Sequence, residues 1–408
     1  MASRYFEPLR HRDFALLWSG QTISMLGDGV FTVTLALETL RVDRHPIGLS
    51  YVLAARLFPA VVFVLLGGAI VDRVPRRLAM LSSDLVRGAA VAVITVLVAA
   101  STIHLAGLVV MAFVFGLADA LFFPASTAIT PELVPAELLV GASALSGTSR
   151  QLAQILIGPA VGGVIVGLVG TAWGFGIDAA SFAVSAACLA AMAARPKPTS
   201  SEESALRDIL DGLRYCRSQR WLWVSILGAA LGNFVAFSPL GALVPLLVEH
   251  ALHGGGIALG PVLAAGGLGG IVASLLLGHR GAPRRRVLHL WLGWGLSGLG
   301  VLGLGLVPDV WLAGSVAFLI YGLDAYGSVL WNPLMQQGVP TAMIGRVSSV
   351  DYFFGFALSP LGLVVAGVVA QAIGVRATLV VGGAITALTT FVPLLPGVND
   401  PAPAEPAS

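Results

Sequence analysis

Apolar runs of bilayer length follow one another along this chain, separated by short hairpins of which several carry arginine or glycine, and they limit its possible shapes more than any motif does. A hydrocarbon core about 30 Å thick is crossed by about 20 helical residues. No water is available there for an unpaired backbone, so each run reads as a helix. Such runs lie near 14–40, 47–70, 78–100, 105–129, 138–168, 171–193, 221–248, 257–278, 287–306, 309–334, 346–371 and 375–396. With 57% hydrophobic and 11% charged residues, the 408-residue chain has too little polar surface to clothe a water-soluble globule. The expected fold is an all-α membrane protein of twelve transmembrane helices. The first run follows Arg4, Arg10 and Arg12 with no early small-residue cleavage site, so it is expected to be retained rather than removed as a signal peptide.

Arginine placement gives the expected orientation. With the N-terminus in the cytoplasm, 17 of the 23 basic residues fall in inner loops, whereas outer loops hold only Arg41, Arg44 and Arg376. Both termini are then cytoplasmic. The expected organisation is a six-helix bundle over 1–193, a cytoplasmic linker over 194–220, a second six-helix bundle over 221–396 and a disordered tail over 397–408. Within the linker, Ser200 and Glu203 have capping-box spacing ahead of Leu206, Ile209, Leu210 and Leu213, which share one helical face.

The two halves repeat at an offset of about 205–209 residues. Arg76-Arg77 answers Arg285-Arg286, Asp119 answers Asp324, Phe123-Pro124 answers Asn332-Pro333, and Pro135 leading to Gly162 answers Pro340 leading to Gly367. That order suits two pseudo-symmetric bundles related by an axis along the membrane normal.

Several chemistries are absent from the pattern. Cys188 and Cys216 are too few and too separated for a disulfide framework, and no His/Cys grouping has metal-ligand spacing. No Gly-x-x-x-x-Gly-Lys-Ser/Thr string is present, so no ATP site or other cofactor is expected and work must come from a gradient. Without clustered His, Cys or Glu at one depth, an enzyme is not expected.

Charges at bilayer depth cost about 2.5–3.5 kcal/mol each on insertion scales, so each calls for a partner, a wet cavity or a task. By depth, Asp28 matches Arg56 and Asp119 matches Arg150, giving two candidate pairs. Asp324 occupies the repeat position of Asp119 with no arginine at the depth of Arg150; Asp351 lies nearer the inner face. These six residues are candidates for proton coupling or charge relay. Static ion pairs that fix helix packing are the competing reading. Asp178 lies nearer a span end, and Asp84 with Arg87, spaced i, i+3, reads as a local surface pair. Gly158, Pro159, Gly162 and Gly163 within one span permit a bend or a close helix contact.

The string Gly68-x-x-x-Asp72-Arg73-x-x-Arg76-Arg77 resembles the signature loop between the second and third helices of the major facilitator superfamily of transporters. Gly158-Pro159-x-x-Gly162-Gly163 is similar to the span-five motif of its proton-coupled drug exporters. The stretch from Leu9 to Asp28, Leu121 to Ala125, Arg150-Gln151 and Gly345-Arg346 resemble the branch that contains macrolide-efflux proteins and the enterobactin exporter.

The resemblance implies that Asp72 and Arg73 lock an inner gate while Arg76 and Arg77 hold the loop at the headgroups, and that the glycines of span five form a bend tied to export. Two departures stand out. Asp119 sits where many drug exporters carry arginine, and the second-half loop from Gly278 to Arg286 has no acidic residue.

The expected function is export of a moderately hydrophobic organic solute, such as a drug, antibiotic or siderophore, by proton antiport with alternating access across a bacterial inner membrane. The alternative is a lipid or lysolipid translocator of the same fold. Phe31, Asn233, Phe234, Phe237, Tyr321, Tyr326 and Trp331 are candidates to line the substrate cavity. The expected partners are a small-molecule substrate, protons and the lipid bilayer, with no nucleic acid, and the chain is expected to act as a monomer.

Overall fold

The structure, a computed structural model, describes residues 6–66, 74–193, 205–281 and 283–398, and among these no strand occurs. In chain order the main helices are α1 (Arg12–Val42), α2 (Pro46–Leu66), α3 (Arg76–Ala99), α4 (Leu105–Leu133), α5 (Leu139–Val169), α6 (Thr171–Ala191) and α7 (Ala205–Ser218). The remainder are α8 (Arg220–Ala251), α9 (Gly255–Arg280), α10 (Arg286–Leu304), α11 (Val310–Gly338), α12 (Met343–Ile373) and α13 (Val375–Pro393). All but α2 and α7 belong to a set of eleven helices, among the described residues, long and apolar enough to cross a bilayer. α2 has 21 residues and runs up to 67–73, which lie outside the described residues.

Local sequence sets where these helices stop and change pitch. Gly170 (φ +92°) joins α5 to α6 and Gly374 (φ +87°) joins α12 to α13, a left-handed backbone that glycine adopts without a Cβ penalty. The two junctions occupy matching places in the two sequence halves. Asp309 caps α11 by accepting from the Leu312 backbone N–H at 2.9 Å. α5 passes through a π turn at Gln151–Ile157, α8 through one at Asn233–Phe237, and α12 breaks at Leu358. These three irregularities each end two residues before a proline, Pro159, Pro239 or Pro360, which lacks the N–H that a regular ladder needs, while a second π turn of α8, at Leu247–Ala251, is not followed by one.

The chain forms two compact units. In the first, residues 1–201 with 254–264, α1 is the buried strut, with 83% of its apolar window inside the protein. α6 and α5 pack along α1, and α3 lies against α4 and α6. Phe31, Phe115, Phe175 and Phe182 fill one part of its core, and Phe14, Met80, Leu145 and Leu189 another.

In the second unit, residues 202–253 with 265–408, α10 packs against α11 and α13, and α8 against α12. The linker helix α7 lies on α12, where Asp211 is 3.8 Å from Arg346 and Cys216 is fully buried. Elsewhere large apolar side chains face outward, including Trp311 (86% exposed), Val140 (80%) and Leu168 (73%). That distribution suits hydrocarbon rather than water.

Candidate functional site

Six charged side chains from five helices of the first unit form one electrostatic cluster at bilayer depth. Arg87 of α3 is at its centre and only 3% exposed, donating to Asp119 of α4 at 2.8 Å and to Asp84 one turn back on its own helix. Its guanidinium also lies 4.1 Å from the Phe122 ring centroid and 4.7 Å from that of Phe182. Arg56 of α2 stands 3.7 Å from the other Asp119 oxygen, with its guanidinium 4.5 Å from the Phe115 ring. These ring faces supply quadrupole attraction that offsets part of the desolvation of the guanidiniums.

Asp28 of α1 and Asp178 of α6 are buried against the same group of charges. Each leaves one carboxyl oxygen without a hydrogen-bond partner. α1 and α6 can approach here because Gly27 has no side chain: a Cβ there would fall 2.6 Å from the Asp178 carboxyl. Four carboxylates thus share two guanidiniums, and two acids lack a basic partner.

This geometry corrects three expectations. Asp119 pairs with Arg87 and Arg56, not Arg150; Arg150 lies over the Phe123 ring at 5.5 Å, one helical turn beyond Asp119. Asp28 makes no ion pair with Arg56, because the Arg56 guanidinium is turned to Asp119. Asp84 and Arg87 are a buried pair rather than a surface one. Arg87 lies eleven residues past Arg76, about 16 Å along the helix, and that distance was the signal available in the sequence.

At the end of the same unit, Arg76 donates to the Ala128 carbonyl at 2.5 Å and to Glu132 at 2.6 Å, while Arg77 donates to the Leu189 and Ala190 carbonyls at 2.7 and 2.6 Å. Both side chains reach the last turns of neighbouring helices, where the carbonyl ends favour a cation. Gly68, Asp72 and Arg73 lie outside the described residues. The span-five motif packs against α1: a Cβ on Gly158 would fall 2.7 Å from Gly29 Cα, and one on Gly162 2.9 Å from Val30 Cα. Pro159 abuts Gly29, and Gly163 abuts Gly260 within residues 254–264.

The second unit has a partly open cavity of about 240 Å³ between α8, α10, α11, α12 and α13. Asn233, Phe237 and Asp324 line it, as do Trp291, Trp294, Ser328, Thr386 and Thr389, which carry no charge and were missed in the sequence. A pair of tryptophans at i, i+3 on α10 was the one available hint. Phe234, Tyr321 and Tyr326 are not among the lining residues. The Phe234 carbonyl abuts Gly362, the Tyr321 ring covers Gly266, and the Tyr326 ring is 6.4 Å from that of His289.

Two further residues expected at a cavity are core instead. Phe31 is fully buried and stacked on Phe115 with centroids 4.9 Å apart. Trp331 packs against Trp221 and donates its indole N–H to Asp351 at 2.9 Å. Both serve packing because the apolar body of an aromatic ring is best buried. Among the described residues no group of His, Cys, Asp or Glu could hold a metal ion.

Comparison with known proteins supplies the family. Macrolide efflux protein A of Streptococcus pyogenes is 24% identical over 396 residues, covering 95% of this chain and 96% of that protein. The enterobactin exporter of Citrobacter koseri is 28% identical over 348 residues, covering 83% and 81%. The crystal structure of the nucleoside transporter NupG superposes with a TM-score of 0.72 at 13% identity, covering 93% of this chain and 98% of that one, a likeness of fold. Residues 3–400 match the family described as transmembrane secretion effector, and the chain belongs to that family of the major facilitator superfamily of transporters.

Proposed function

We propose that the protein exports a moderately hydrophobic organic solute across a bacterial inner membrane by proton antiport, acting as a monomer through alternating access with both termini in the cytoplasm. The observation that carries the coupling is the surplus of acids at bilayer depth: two more carboxylates than guanidiniums around Arg87 in the first unit, and Asp324 in the cavity of the second. Such groups are expensive in a membrane and are retained where protons or ions move. Asp28, Asp178 and Asp324 are the proposed proton carriers, with Asp119, paired to Arg87 and Arg56, as the relay beside the first two; Asp351 is a secondary candidate through its bond to Trp331. Similarity to exporters of a macrolide and of a siderophore supports the outward direction.

The test is uptake of a macrolide and of a catecholate siderophore into inside-out vesicles with an imposed pH gradient, acidic inside. Accumulation that collapses with a protonophore is the expected result. Accumulation of neither solute class with or without the gradient, in vesicles that contain folded protein, overturns the reading.

A further inference from the structure

The cavity of the second unit has a chemistry that the export reading leaves unspecified. Asp324 carries the only formal charge among its lining residues. Among the described residues Asp324 makes neither an ion pair nor a hydrogen bond. Two neighbouring hydroxyls have their hydrogens committed elsewhere, and one of the two Asn233 amide hydrogens is also engaged. Thr386 donates its hydroxyl to the Gly382 carbonyl at 3.0 Å, Thr389 to the Thr386 carbonyl at 2.6 Å, and the Asn233 amide to the Gly355 carbonyl at 3.1 Å. The two threonine hydroxyls have only lone pairs left for an occupant, whereas Asn233 keeps its carbonyl oxygen and one amide hydrogen. The Ser328 hydroxyl already accepts from Trp294 at 3.3 Å. The aromatic walls add ring faces: Trp291 and Trp294 meet edge to face at 5.7 Å, with Phe237 and Phe356 beside them. Trp291 is fully buried and its indole N–H has no partner.

A pocket made of one unpaired carboxylate, several acceptor oxygens and aromatic faces is complementary to a donor-rich cation. An anion would meet Asp324 with like charge, and a neutral guest would leave the carboxylate without a counter-charge. We infer that this cavity binds a protonated amine, with Asp324 as counter-ion and the Thr386, Thr389 and Asn233 oxygens as hydrogen-bond acceptors. The volume lies below the roughly 300–1,000 Å³ of pockets that enclose drug-sized ligands. The cavity therefore receives a small amine or the amine-bearing end of a larger molecule.

The inference rests on the export reading only for the use of the site, so it is tested at equilibrium without a gradient. Purified full-length protein in detergent is titrated calorimetrically with phenethylamine, the neutral isostere 2-phenylethanol and the anion 3-phenylpropanoate. The amine is expected to bind about tenfold or more tightly than the alcohol, as one charge-assisted hydrogen bond allows, and the anion not at all. Asp324→Asn should remove that preference while leaving the alcohol unchanged. In the wild type, the tertiary amine N,N-dimethylphenethylamine, which cannot couple to an activated carboxyl as a stable amide, but not phenylethanol should protect Asp324 from carbodiimide modification, read by peptide mass, and this arm stands even if the variant fails to fold.

Equal affinities for amine and alcohol, an unaltered preference in Asp324→Asn, or modification insensitive to the amine each overturn the inference. Amine binding without gradient-driven transport supports the site and counts against the export reading. Transport with no amine preference in the titration does the reverse.

Discussion

Arg87 joins α3 to α4 through Asp119 while neutralising Asp84 on its own helix, all within a shell of phenylalanine rings. Removing the guanidinium strands a fully buried Asp84, and breaking a buried pair by deleting one partner costs about 3–5 kcal/mol. Arg87→Ala is expected to lower the thermal unfolding temperature sharply or abolish accumulation. Arg87→Lys keeps the charge but loses the two-pronged donor geometry and should fall between; thermal unfolding of the purified proteins checks both. A second expectation concerns α7, outside the membrane spans. Burial, with a smaller contribution from Asp351, pushes the Cys216 thiol up to about 11. At pH 8 about a thousandth of it would be thiolate, so Cys216 should resist maleimide in the folded protein and react after denaturation. Labelling of native Cys216 at the rate of a free thiol, read by peptide mass, would contradict the docking of α7.

Among whole elements, the two sequence halves share devices as well as residues. Gly170 and Gly374 end corresponding helices in the same backbone conformation. Replacing either by alanine forces a side chain into a strained region, expected to cost about 1–3 kcal/mol. Gly147, helical and in open space, is the control, and Gly147→Ala should stay within about 1 kcal/mol of the parent protein. Denaturation of the three variants compares them. The prolines act similarly: Pro159, Pro239 and Pro360 each follow an irregular turn, and the one at Asn233–Phe237 carries two residues of the cavity wall. A missing N–H favours such turns, so a proline inside an apolar run marks where one can form, though Pro124, Pro261 and Pro333 lie in helices without one. Which helix lies opposite each turn is not marked in the same way.

Across the molecule the two units differ electrically. The first holds a network of paired acids and arginines; the second holds Asp324 without an ionic partner among the described residues. Asp119→Asn should therefore lower both stability and gradient-driven transport, since it unpairs Arg87 and Arg56. Asp324→Asn should lower transport with the unfolding temperature nearly unchanged. Vesicle transport measured beside thermal unfolding separates the two outcomes, and a large loss of stability in Asp324→Asn would mean that its carboxylate has a structural partner. The membrane class and most spans were legible in the residues, as was the presence of Asp28, Asp119 and Asp324 inside apolar runs, because the length and polarity of such a run are local quantities; that Asp84 and Asp178 join the charge cluster was not. The pairing of Asp119 with Arg87, the core role of Phe31 and the cavity beside Asp324 were decided by tertiary structure alone. Depth can be counted along a chain, but each residue also turns about 100° around its helix axis. Which faces meet is settled only when the helices pack.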